Sequence, residues 1–384
     1  MKPNELCPCL DAVFPATPAA EALLRLAGLG FRQFEFWDWR KQDVPAVARQ
    51  AAERGPLGRG DGRPARGRLP RRCGAGVLAH RSGGGRAAPV CGGSGGGESV
   101  IVTVERYGLN GSTTGQAALA TDIAVAAQAG FRYLELRDTK IEAWLRERSR
   151  EALRAEFERA GVAPLSVNAL EDATLSRDPR AIAVRCHDLC RWARVIGAPY
   201  VVAVPSFLEA GARPDTGMRA RTVAALRDLA AIAEAYGLQL GFEFLGSARC
   251  SVNTLAAARE IVDAVADSRV GLVIDAFHFY AGGSTLEMLD GLDPARLFIV
   301  HLDDAEDRPR AELTDAHRLL PGRGVMPLVP LVRRLEALGY RGAYSIELFR
   351  PEYYAWDPLR LAREARASLD LLFKEAARAE ERVL

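Results

Sequence analysis

The chain predicts an α/β fold, a (β/α)8 TIM barrel over residues 106–384, on three observations. Short β-type runs alternate with amphipathic helical stretches, the runs are apolar along their length, and the alternation repeats eight times within about 280 residues. Strands such as VVAVP and GLVID are what parallel strands covered on both faces look like, and about 250 residues suffice for an eightfold barrel.

The elements follow in order. RYGLN (106–110) is the first strand, and QAALATDIAVAAQAG (116–130) is an amphipathic helix closed by Gly130, the residue type that stops helices in a left-handed turn. YLELR (133–137) is the second strand, followed by one helix through Trp144 to Gly161. PLSVN (164–168), YVVAVP (200–205), LQLGFEF (238–244), VGLVID (270–275), LFIVH (297–301) and AYSIE (343–347) complete the set. Helical patterns separate them at Pro179–Gly197, Gly217–Gly237, Thr254–Ala266, Ser284–Leu292 and Leu328–Gly339, and one from about Pro358 closes the chain.

The first 105 residues read differently. Residues 1–53 spell strand, helix, strand, helix, and AGLGFRQFEF (27–36) echoes AQAGFRYLEL (127–136), so this segment reads as a truncated copy of a barrel's opening. Two βα units cannot close a barrel. Residues 54–97 hold fifteen glycines and nine arginines against the single acid Asp61, without apolar periodicity. That composition predicts a disordered Gly/Arg-rich linker, extending to about residue 105, or a frame-shifted stretch. It lacks the aromatic residues that stack on bases, which argues against an RNA-binding arm.

Composition narrows the function. With 48% hydrophobic and 26% charged residues and a net charge of only +2, the chain is an ordinary globular protein whose partners are small polar molecules, with no nucleic acid and no membrane implied. The start, MKPNELCPCLDAVFP, has no basic segment leading into an apolar run, which predicts a cytoplasmic location. Homo-oligomer formation stays open. The seven cysteines lack paired CxxC spacing, and Cys186 and Cys190, four apart on a helix, read as reduced thiols rather than metal ligands.

The chemistry collects at the strand ends. Glu243, Asp275, His301 and Glu347 stand at the C-terminal ends of the fifth to eighth strands, the rim at which barrels of this kind build their sites. Adjacent strands lie about 4.8 Å apart, so four consecutive ends bring these groups around one point. One acid at a strand end is ordinarily a helix cap, but four ligand-type residues in succession predict a site for one divalent metal ion: Mn²⁺, Mg²⁺, Co²⁺ or Zn²⁺.

LNGSTT (109–114), PLSVNAL (164–170), CSVNT (250–254), GLVIDAFHF (271–279), FIVHLDDAEDRP (298–309) and SIELFRPEYY (345–354) resemble the xylose isomerase-like TIM barrels, the sugar phosphate isomerase/epimerase superfamily. Within it the likeness is greatest to the inosose (2-keto-myo-inositol) isomerases, and PGRG (321–324) adds weakly to it. The resemblance implies that Glu243, Asp275, His301 and Glu347 are metal ligands and that Glu243 and Glu347 also act as base and acid. It implies that a keto-polyol or ketose substrate chelates the metal and isomerises through an enediolate. It implies a substrate contact for His278, while Asn168 and Arg137, at the ends of the third and second strands, are further candidate contacts. His317 and Arg308 fall in the long loop after the seventh strand. Ketose 3-epimerase, hydroxypyruvate isomerase and inosose or 3-dehydroshikimate dehydratase activities are the alternatives in the same superfamily. Where inosose isomerases carry Asn-Glu after the first strand, this chain has Asn110-Gly111, one polar pocket contact fewer.

Overall fold

A computed structural model describes residues 104–209, 215 and 217–381. The barrel-like fragment read at 1–53 and nearly all of the linker read at 54–105 lie outside the described residues; Val104 and Glu105 belong to a short 3-10 turn entering the first strand. Eight strands close a parallel barrel: β1 (Tyr107–Asn110), β2 (Tyr133–Arg137), β3 (Ala163–Leu170), β4 (Tyr200–Ala203), β5 (Gln239–Glu243), β6 (Val270–Asp275), β7 (Leu297–Leu302) and β10 (Ala343–Ile346), with β10 returning to pair with β1. A two-stranded antiparallel ribbon, β8 (Asp304–Ala305) and β9 (Arg318–Leu319), stands in the loop after β7.

Helices α1 (Leu119–Ala129), α2 (Asp138–Leu145), α3 (Arg150–Ala160), α4 (Pro179–Ile196), α5 (Met218–Ala235), α6 (Leu255–Val265), α7 (Ala276–Ala281), α8 (Leu328–Ala337), α9 (Pro351–Tyr354) and α10 (Pro358–Glu381) follow the strands. Leu109, Leu134, Leu136 and Ile274, on the strands, join the main core with helix residues such as Leu189, Leu226 and Leu369. A second cluster that includes Val202, Val273, Ile299 and Ala343 packs separately. Because side chains alternate along a strand, Val273, Ile299 and Ala343 share the faces of Asp275, His301 and Glu347 and floor the barrel beneath them. Gly241 makes room for this floor: a Cβ there would come within 2.8 Å of the Val273 side chain.

Two helix expectations are corrected. The single helix expected through Trp144 to Gly161 is broken into α2 and α3, because Ser149 accepts a hydrogen bond from the Ala152 N–H and starts a new helix. The helix expected at Ser284–Leu292 is only a 3-10 turn at Leu286–Leu289. The helix after β6 begins instead at Ala276, where the Asp275 carboxylate caps it by accepting from the His278 N–H at 2.7 Å.

Candidate metal centre

Strand register sets the centre. Asp275 pairs level with His301, Glu243 with Val273, and Ser345 with His301, so Glu243 lies two residues below the Asp275 level and Glu347 two above that of His301. One donor atom from each of Glu243, Asp275, His301 and Glu347 falls within 4.8 Å of the others, and all four residues are buried. His301 is the hub. Its Nδ1 lies 3.0 Å from Glu243 Oε1, 3.3 Å from Glu347 Oε2 and 3.8 Å from Asp275 Oδ2.

Three carboxylates and one imidazole nitrogen around one buried point form a hard, mostly oxygen donor set that fits a divalent cation. The titration of the groups reflects the crowding. Burial pushes Glu243 up to about 8, helped by Glu347 and Asp275 and opposed by His301. For His301, burial favours the neutral ring, but Glu135, Glu347 and Glu243 together raise it well above the ordinary imidazole range. Burial would also raise Asp275; the charges of Arg318 and His301 and the backbone N–H of His278 hold it well below the usual carboxylate range instead.

Two further residues, neither singled out by the sequence reading, complete the centre. Glu135, in the middle of β2, lies across the barrel with its Oε1 3.1 Å from His301 Nε2, and Ser166 donates to its other oxygen at 2.7 Å. A carboxylate behind a ligating imidazole holds the ring proton on the far nitrogen and leaves Nδ1 turned to the metal point. The signal was a charged residue inside an apolar strand, YLELR. Arg318, at the start of β9, is wholly buried and reaches Asp275 Oδ2 at 2.5 Å and Asp303 Oδ2 at 2.7 Å. It stands in AHRLLPGRG, whose glycines serve the loop: Gly322 and Gly324 donate backbone N–H bonds to Asp304 Oδ2 at 3.0 and 2.9 Å.

The remaining sequence candidates divide. A cavity of about 370 Å³ is lined by Glu243 and Glu347 together with His278, Asn168, Arg137 and Arg318. Asn168 Nδ2 reaches Glu347 Oε1 at 3.4 Å, and Asn110, from β1, donates to the same oxygen at 2.9 Å. Arg137 stands farther out, its guanidinium 5.8 Å from the Phe349 ring centre. Those two residues also wall a neighbouring cavity of about 570 Å³ that contains none of the four ligand-type residues. His317 Nδ1 accepts the Thr314 N–H at 3.1 Å and Arg308 pairs with Glu306 at 2.7 Å, so both serve the loop. Cys186 and Cys190 are buried free thiols in the core, their sulfurs 3.9 Å apart. Among the described residues no helix is long and apolar enough to cross a membrane.

A closed parallel barrel carrying this donor set at one rim defines a class of protein, and comparison places the chain within it. The profile of the xylose isomerase-like TIM barrel family matches residues 123–373, and the chain belongs to that family. It is 38% identical over 240 residues to an inosose isomerase of Halalkalibacterium halodurans, a match covering 62% of this chain and 84% of the relative. It is 36% identical over 253 residues to an inosose isomerase of Bacillus velezensis, covering 64% and 90%. Among solved structures, the IOLI protein with a binding zinc atom superposes with a TM-score of 0.68 at 33% identity, covering 71% of this chain and 99% of that one.

Proposed function

We propose that this chain is a divalent-metal-dependent isomerase of cyclic keto-polyols of the inosose type. The observation that carries the reading is the placement of Glu243 and Glu347 on two sides of His301, both lining a cavity that also presents His278 and Asn168. The inosose isomerase relatives support the substrate class, and the zinc in the IOLI structure supports a metal. Glu243, Asp275, His301 and Glu347 would hold the ion. When bound, it would supply Lewis-acid stabilisation of the negative charge that develops on the substrate oxygens.

The chain's own groups carry the protons. One of the two glutamates takes the proton from the hydroxyl-bearing carbon beside the ketone, and a proton returns to the former carbonyl carbon. The hydroxyl proton passes to the other oxygen, so ketone and alcohol exchange places with no net change in atoms or electrons. Glu243 suits the base role by position: it lines the cavity beside His278 and Asn168, with its Oε1 3.0 Å from His301 Nδ1. Asn110 and Asn168 steady Glu347 through its Oε1, leaving Oε2 toward His301. His278 contacts a substrate oxygen, Arg137 contacts the outer polyol edge, and the Phe277 and Phe349 rings restrict water.

The test is the metal-loaded protein with 2-keto-myo-inositol in deuterated water. The expected product is a deuterium-labelled isomeric inosose without enone absorbance, and Glu347→Gln is expected to slow exchange by about 10²–10⁴-fold. Enone formation would identify a dehydratase instead, and absence of exchange with every inosose would overturn the isomerase reading.

A further inference from the structure

Arg318 remains to be explained, because a four-ligand metal site does not require it. It arrives from the ribbon in the loop after β7 and is 0% exposed, an unusual fate for arginine. Every nitrogen of its guanidinium is engaged. Nη1 donates to Asp275 and Asp303, Nε donates to Asp315 at 2.9 Å, and Nη2 lies 3.1 Å from His278 Nε2. The Phe277 and Phe349 rings, centred 4.8 and 5.2 Å from its central carbon, fix the plane of the fork.

A guanidinium can only donate, so His278 Nε2 must accept. The lone pair is therefore on Nε2, and the single proton of the neutral ring is on Nδ1. An imidazolium would set N–H against N–H and a second positive charge against the first. Asp275 is tied from both sides at once: Oδ1 accepts the His278 backbone N–H at 2.7 Å and Oδ2 accepts Arg318 at 2.5 Å.

We propose that Arg318 is a positioning residue that couples the metal ligand Asp275 to the substrate contact His278, holding His278 as the neutral Nδ1–H tautomer so that it meets substrate oxygen as a hydrogen-bond donor. The identity of His278's partner as a keto-polyol oxygen rests on the isomerase reading; the tautomer and the coupling to Asp275 do not. Lysine could keep a charge near Asp275 and Asp303, but it has no fork with which to reach His278 as well.

The experiment uses the full chain with ¹⁵N-labelled histidine, loaded with Zn²⁺. Wild-type protein is expected to show His278 with an unprotonated Nε2 and a protonated Nδ1 in the imidazole ¹⁵N spectrum. Arg318→Lys is expected to bind Zn²⁺ within a few-fold of wild type, to leave only about a tenth of His278 in the Nδ1–H tautomer, and to raise KM for inosose about tenfold in proportion. Arg318→Ala is expected to regain part of its activity when guanidinium ion is added. A protonated Nε2 in wild-type protein overturns the proposal without recourse to any variant, as does an Arg318→Lys protein with wild-type tautomer and KM. Failure of the isomerase reading would appear separately, as absence of exchange by the wild type, and would leave the tautomer and Zn²⁺ measurements standing.

Discussion

The two halves of the barrel rim differ in kind. The half built by β5, β6, β7 and β10 places Glu243, Asp275, His301 and Glu347 within 4.8 Å of one another, whereas the half built by β1 to β4 presents the amides of Asn110 and Asn168 and the more distant Arg137. The first half crowds three carboxyl groups into a buried place, where their charge has to be relieved by cations or by proton uptake. The second steadies and shapes: its amides hold Glu347, and its Glu135 orients His301 from across the barrel. Charge for chemistry and groups for orientation thus come from opposite sides of one ring. Glu135–His301 and Asn110–Glu347 are among the contacts that join them.

The strongest way to sharpen this contrast is to titrate the charged half. Glu243 in the metal-free protein has its carboxyl raised from the ordinary value to about 8, so its contribution to stability is full below the unfolded value and is lost as pH rises through about 8. Metal requires the ionised carboxylate, and a neutral His301 as well. Metal affinity is therefore expected to rise at least about tenfold per pH unit, or about 100-fold between roughly pH 6 and pH 8, with proton release visible by calorimetry in buffers of different ionisation enthalpy. Affinity flat across this range would show that the Glu243 carboxyl is not raised by its surroundings.

A smaller effect is expected from the orienting half acting at a distance. Glu135→Gln leaves all four donors in place but takes the negative charge from behind His301 Nε2, and should weaken metal binding about 10- to 100-fold. Unchanged binding by competition against a chelating dye would break the link between the halves. The smallest effect belongs to the outer wall. Arg137→Ala, which touches none of the four donors, should leave metal affinity unchanged and raise the KM for an inosose by no more than about tenfold.

Legibility in the sequence followed locality. Strand positions were readable because alternation and apolar runs are local patterns, and Glu243, Asp275, His301 and Glu347 were readable because each interrupts such a run at its end. Asp275 shows how two explanations can both hold: one carboxylate oxygen caps α7, the ordinary role for an acid there, while the other faces Arg318 and the metal point. The helix read at Ser284–Leu292 is a 3-10 turn at Leu286–Leu289, and the helix after β6 starts instead at Ala276, under the Asp275 cap.

By itself the sequence determined the barrel, its eight strand ends and the four donor residues that stand there, since each depends on a few neighbouring residues and on the short spacing between paired strands. The tertiary structure alone decided that Glu135 meets His301 from the far side of the barrel, 166 residues away, and that Arg318 returns from a loop to Asp275, 43 residues away, and to His278. Such meetings depend on how the ring closes and how a long loop folds back over it, and no local period in a sequence encodes either.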